Sequence, residues 1–80
     1  MYLYLFVMYT LKMPDQEHGS IHWRKVSARD VLDKEGIDEV IYKMKNEAYG
    51  EGADYIEPSV VCTFSTKKDL IKKILEYTEV

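Results

Sequence analysis

Two histidines are the side chains in this sequence that most resemble metal ligands. His18 and His22 are four residues apart, and Asp15 and Glu17 lie beside them. On a helix this spacing would place both imidazoles on one face, where they could bind zinc. Gly19 and a predicted strand intervene and separate the two rings. We therefore expect solvent-exposed histidines and no bound metal.

The other reactive groups lack the partners that catalysis requires. Cys62 lies in a β-branched stretch with no histidine at a suitable spacing, which indicates a buried structural thiol. Gly50 and Gly52 follow a predicted helix, whereas phosphate is held where a helix begins. A cluster of lysines is interpreted as a solvated helix face, with weak phosphate contact as the alternative: Lys67, Lys68, Lys72 and Lys73. We predict no enzymatic activity and no cofactor.

The composition is that of one folded domain, residues 1–80. Its residues are 46% hydrophobic and 31% charged, which is typical of a globular protein. The formal net charge of −3 argues against a protein that holds DNA mainly by neutralising phosphates. The single cysteine excludes an intrachain disulfide and predicts a cytoplasmic location. The apolar residues 2–13 are too few to span a bilayer and lack the flanking pattern of a signal peptide, so no membrane association is expected.

These apolar residues predict the central strand of a small sheet. They hold more apolar material than a half-buried strand requires, which indicates that both faces are covered. Because side chains alternate across a strand, the odd positions form a mainly aliphatic face. The even positions begin with a bulky, largely aromatic set: Tyr2, Tyr4, Phe6 and Met8.

Periodicity and turn residues predict the remaining elements. They are, in order, a strand at 21–26 after a loop at 14–20, a short turn between the N-cap Ser27 and Gly36, a helix at 37–49 that ends at Gly50, a strand at 59–65, and a helix capped by Thr66. A right-handed crossover from the second strand to the third passes over the first. This predicts a two-layer α+β domain of ββαβα order, with an antiparallel sheet in the order 2-1-3. Both helices are expected on the aliphatic face.

This arrangement would leave the aromatic face open. His22 and Arg24 are expected there from the second strand. The third strand would add either Val61 and Thr63 or the set Val60, Cys62 and Phe64, because a one-residue slip exchanges them. The partner-binding residues predicted on this face are Tyr2, Tyr4, Phe6, Met8, His22 and Arg24.

Three interpretations of the aromatic face follow. The loops at 15–20 and 51–58 could fold over it, although short polar loops cover little apolar area. A protein partner, either a second copy or a small target, suits its Tyr, Phe, Met and Arg content. The third interpretation is a platform for single-stranded nucleic acid carried by Tyr4, Phe6, Trp23, Arg24, Lys25 and Arg29. The aromatic-glycine signature of RNA-recognition modules is absent, and two strands precede the first helix instead of one.

The sequence thus predicts a non-enzymatic protein-binding module that self-associates, most simply as a homodimer, or docks a protein partner. Small chains of this class are common among the regulators and inhibitors that phages and other mobile elements carry. Nucleic-acid binding on the same sheet face is the alternative.

Overall fold

A computed structural model of the chain describes residues 1–12, 17–52 and 56–78. Its elements are β1 (Tyr2–Lys12), β2 (Glu17–Ser27), a 3₁₀ turn (Ala28–Val31), α1 (Lys34–Tyr49), β3 (Ile56–Phe64) and α2 (Lys67–Thr78). No helix in this part of the chain combines the length and the hydrophobicity needed to cross a membrane.

The three strands form an antiparallel sheet in the order β2-β1-β3, which confirms the predicted α+β class and strand order. β1 has a hydrogen-bonded neighbour on each side, and its residues Leu5, Phe6 and Val7 are fully buried. A strand that is apolar on both faces is stable only in this central position, because either edge position would expose part of it.

The two helices begin and end at recognisable signals. Asp33 caps α1, its Oδ1 accepting a hydrogen bond of 2.8 Å from the N–H of Gly36. The helix therefore starts before Gly36, and the prediction that Gly36 ends the preceding turn is wrong. Gly50, with φ +89°, ends α1 as predicted. Thr66 caps α2 by accepting a hydrogen bond of 3.2 Å from the N–H of Asp69.

α1 packs on the odd-numbered face of β1. The hydroxyl of Tyr9 donates a hydrogen bond of 2.7 Å to the carbonyl of Ile41 in α1. The core on this side joins the sheet, the 3₁₀ turn and α1, and its buried members are Leu5, Val7, Tyr9, Val26, Val31, Ile41, Met44 and Ile56.

α2 packs on the opposite, even-numbered face, so the prediction that both helices share one face is wrong. Phe6 has no exposed surface, and its ring stacks on that of Tyr77 in α2 with centroids 5.8 Å apart. Leu70, about two helical turns before Tyr77 in α2, is buried as well. Both faces of β1 are apolar, and one helix on each face removes more of that surface from water than two on the same face.

The two helices cover different parts of the sheet. α1 contacts β2 through the ion pair of Glu47 with Arg24, whereas α2 packs on β1 and β3. Two corners of the sheet are left partly open. Trp23 on β2 is 45% exposed beside α2, and Val61 on β3 is 41% exposed on the face that carries α1.

Candidate protein-binding edge

The pairing of β1 with β2 decides which β2 side chains share a face with the aromatic residues. Trp23 lies opposite Phe6, and Lys25 lies opposite Tyr4. Residues directly opposite each other in an antiparallel pair project to the same side. His22 and Arg24 therefore lie on the α1 face, and the prediction that they join the aromatic face is wrong.

The aromatic residues predicted to bind a partner have different environments. Phe6 is buried beneath α2 and cannot contact a partner, which corrects its assignment to an open face. Tyr4 and Met8 are half-buried, and Tyr2 is exposed. Tyr4 contacts Trp23 with ring centroids 6.3 Å apart, so these two share the part of the face that α2 leaves open.

The pairing of β1 with β3 resolves the alternative that the sequence left open. Phe64, Cys62 and Val60 lie opposite Tyr4, Phe6 and Met8, and therefore face α2. Cys62 is half-buried there. On α2, the carboxylate of Glu76 lies 3.2 Å from the ammonium of Lys73 and raises its pKa by a hydrogen bond.

His22 belongs to a network that fastens the end of α1 to the sheet. Its Nε2 lies 2.9 Å from the hydroxyl of Ser20 and 3.0 Å from that of Tyr49. Tyr9 packs edge-on against both the His22 and Tyr49 rings, and burial raises the pKa of Tyr9 to about 12. Among the described residues, the hydrogen bonds of the imidazole go to hydroxyl groups and none goes to a carboxylate.

One surface pocket is lined by both acidic and basic side chains. The 3₁₀ turn and α1 enclose a surface pocket of about 350 Å³. It is lined by Arg29, Asp30, Gly36, Glu39, Val40 and Lys43. Lys43 pairs with Glu39 at 3.2 Å, which leaves the pocket without a marked preference for anions. Among the described residues, no three histidine, cysteine, aspartate or glutamate side chains are grouped so that they could hold a metal ion. Residues 13–16, 53–55 and 79–80 and the side chain of His18 lie outside the described residues.

The outer edge of β2 carries backbone groups that have no backbone partner among the described residues. The N–H of Ala28 donates a hydrogen bond of 3.0 Å to the carbonyl of Met1, and the register places these residues opposite each other. Hydrogen-bonded pairs alternate with non-bonded pairs along an antiparallel ladder. The even-numbered residues of β2 therefore bond to β1. The outward N–H and C=O groups belong to Gly19, Ile21, Trp23 and Lys25.

The exposed edges of the two outer strands differ in whether they can pair with an additional strand. On β3 a bulge between its pairings with Met8 and Tyr9 displaces Ser59, and Pro58 has no N–H. Prolines and bulges are devices by which natural sheets block their edges. β2 contains neither across Glu17–Ser27. It is thus the available edge.

Apolar side chains lie beside this edge on the α2 face, together with one basic group. Trp23 is the largest of them, and the ammonium of Lys67 lies 5.5 Å from its ring centroid. On α2, the apolar residues Ile71 and Leu75 follow Lys67 at four-residue spacings and are 47% and 45% exposed. We call the outward backbone of residues 19–25, with the side chains of Ile21, Trp23 and Lys25, the β2 edge surface. The sequence pattern could have indicated it, because residues 17–27 form a long strand without proline.

No protein-family model matches this sequence, and comparison with curated proteins and with solved structures gives no match either. The geometry of this chain alone therefore supports the functional inference.

Proposed function

We propose that this chain is a non-enzymatic protein-binding module that accepts a strand of a protein partner at the β2 edge surface. In this role it is a small cytoplasmic regulator or inhibitor whose partner, either a second copy or a different protein, supplies an extended segment. The single observation that carries the proposal is the unblocked edge of β2, with unpaired backbone groups at alternate residues from Gly19 to Lys25.

Strand addition suits the chemistry of this surface. Backbone hydrogen bonds along the edge supply affinity, and side chains at alternate positions supply specificity. Ile21, Trp23 and Lys25 are the alternate side chains here, and all three lie on the α2 face. Tryptophan and tyrosine are frequent binding hot spots because they bury a large area with few rotatable bonds.

The structure gives less support to a nucleic-acid platform. Stacking needs exposed rings, but Phe6 is buried beneath α2. Arg24 lies on the opposite face, where it is paired with Glu47. Trp23 and Lys25 remain together at the β2 edge, so oligonucleotide binding serves as an outcome of the test.

The test uses proline to remove one outward N–H from each edge. Ile21→Pro blocks the β2 edge without removing a bond to β1, because the N–H of Ile21 points outward. Thr63→Pro is the matched control, since Thr63 occupies the corresponding outward position on β3. Circular dichroism and thermal unfolding first establish that both variants fold.

Self-association is measured by sedimentation velocity, and partner capture by comparing proteins from the source cell retained on immobilised wild type and variants. We expect association that persists in Thr63→Pro and is lost in Ile21→Pro. Association that survives Ile21→Pro refutes edge binding. So does a chain that binds nothing but an oligonucleotide, with affinity that falls steeply as salt rises.

A further inference from the structure

We infer that the β2 edge surface pairs with the same surface of a second copy of this chain, antiparallel about a two-fold axis at His22. This inference rests on the proposed function and adds to it the identity of the partner and the register. The resulting dimer would contain one continuous six-stranded sheet.

The phase of the β1–β2 ladder restricts where the axis can lie. Only odd-numbered residues offer outward bonds, so odd residues must face odd residues across the new ladder. When a two-fold axis relates the two strands, this condition requires the axis to pass at the position of a residue and not between two residues. His22 is the midpoint of β2 (Glu17–Ser27), so an axis there overlays the whole strand on its copy.

The strand is self-complementary about His22. In this register Ile21 faces the partner's Trp23, and each pair occurs twice by symmetry. Gly19 faces the partner's Lys25, and Ser20 faces the partner's Arg24, so a small residue lies opposite each long basic one. Cross-strand pairs between an aromatic and a β-branched residue stabilise sheets by about 0.2–1 kcal/mol each, and like charges facing each other destabilise them.

The neighbouring register is poorer. An axis at Trp23 would place Lys25 opposite the apolar Ile21 of the partner and Arg24 opposite the partner's His22. It would also shorten the overlap of the two strands. The side-chain pairs therefore favour an axis at His22 over one at Trp23. An axis at Ile21 would also shorten the overlap, to residues 17–25, so the axis at His22 alone pairs the whole of β2 with its copy.

The helices leave room for this pairing. On one face α2 packs on β1 and β3, so Trp23 is accessible to the copy. On the other face α1 contacts both β1, through Tyr9, and β2, through Arg24. Strands lie about 4.8 Å apart, so an α1 axis above the gap between β1 and β2 would lie about 10 Å from the α1 axis of the copy. This is an ordinary packing distance for two helices.

Cysteine cross-linking tests both the partner and the register. In a Cys62→Ala background, His22→Cys places two thiols at the axis, in a non-hydrogen-bonded pair whose Cα atoms would be about 4.5 Å apart. Trp23→Cys places two thiols at the axis of the alternative register, in which the two-fold axis lies at Trp23. Thr63→Cys is the control, because Thr63 lies on the same face as His22 but on the other outer strand.

The rate of disulfide formation in a glutathione buffer is the readout. At ~10 µM protein, pairing raises the effective thiol concentration to the millimolar range, so His22→Cys should cross-link roughly a hundred-fold faster than Thr63→Cys. A mixture of Ile21→Cys with Trp23→Cys should form the mixed dimer at a similarly raised rate. That mixture keeps the His22 network intact, and the outcome therefore does not depend on the folding of His22→Cys.

Equal rates for His22→Cys and Thr63→Cys, with no acceleration in the mixture, overturn the second-copy inference. A faster rate for Trp23→Cys than for His22→Cys overturns the register. Neither result refutes edge binding itself, which the Ile21→Pro and oligonucleotide experiments test separately.

Discussion

The stacking of Phe6 on Tyr77 is the contact that most directly shows α2 on the aromatic face, and a double-mutant cycle tests it. We combine Phe6→Leu with Tyr77→Ala. Leucine keeps most of the buried volume at position 6, so the single change should cost less than about 1.5 kcal/mol. A Phe6→Ala change would cost ~3–5 kcal/mol, a large part of the ~4–12 kcal/mol expected for a chain of this size.

The cost at Tyr77 follows from its exposure. Tyr77 is 42% exposed, so somewhat more than half of its surface is removed from water. With an aromatic side chain of about 200 Å² and about 25 cal/mol per Å², Tyr77→Ala should destabilise the fold by ~2–3 kcal/mol. Because the two rings stack at 5.8 Å, the double mutant should lose less than the sum of the single costs, with a coupling of ~0.5–1.5 kcal/mol.

The assay is urea unfolding followed by the fluorescence of Trp23, which is the only tryptophan. Tyr9→Leu with Tyr77→Ala is the matched control cycle, because Tyr9 lies on the opposite face of β1, against α1. Its two changes should be additive to within ~0.5 kcal/mol. Additivity of Phe6→Leu with Tyr77→Ala, or equal coupling in both cycles, would refute the placement of α2 on the aromatic face.

Three further changes test other parts of the fold. Tyr9→Phe should cost ~1 kcal/mol at neutral pH by removing the buried hydrogen bond from its hydroxyl to the carbonyl of Ile41. Burial raises the pKa of Tyr9 from 10.0 to about 12, so the folded state favours the neutral phenol. The stability that this shift contributes is complete below pH 10 and is lost as the pH rises through 12. In that range the urea midpoint of Tyr9→Phe should therefore decline less with pH than that of the wild type. Gly36→Ala should lower the melting temperature although alanine favours helices, because the added Cβ would lie 2.3 Å from the backbone oxygen of Asp30; an unchanged or higher melting temperature would contradict this close approach. The half-exposed pair of Arg24 and Glu47 should show a coupling of no more than ~1 kcal/mol in an alanine cycle, and that coupling should fall with added salt.

The central strand and the sheet order could be predicted because they depend on strong, local signals. β1 is apolar on both faces, which favours a central position, and the handedness of crossover connections then fixes the order 2-1-3. The caps at Thr66 and Gly50 were also identifiable from residue type alone, because hydroxyl side chains and glycine satisfy helix ends in specific ways.

The face of each element was harder to predict. Whether His22 or Trp23 joins the aromatic side depends on the hairpin register, and a shift of one residue reverses it. The position of α2 depends on a comparison of two apolar faces, and the aliphatic face is the better match for helices by residue type alone. Both faces of β1 are apolar enough to pack against a helix, and the burial of Phe6 under Tyr77 shows that α2 covers the aromatic face.

The position of β1 between β2 and β3 has a consequence for the rate of folding. β1 and β2 are close in sequence and can form a hairpin early, whereas Tyr4 meets Phe64 only after a long segment of chain has been closed. Domains with many such distant pairings cross their folding barrier in milliseconds to seconds rather than microseconds. Until that closure, the aromatic side of the hairpin remains in water, and newly made chains are most prone to aggregate during this interval.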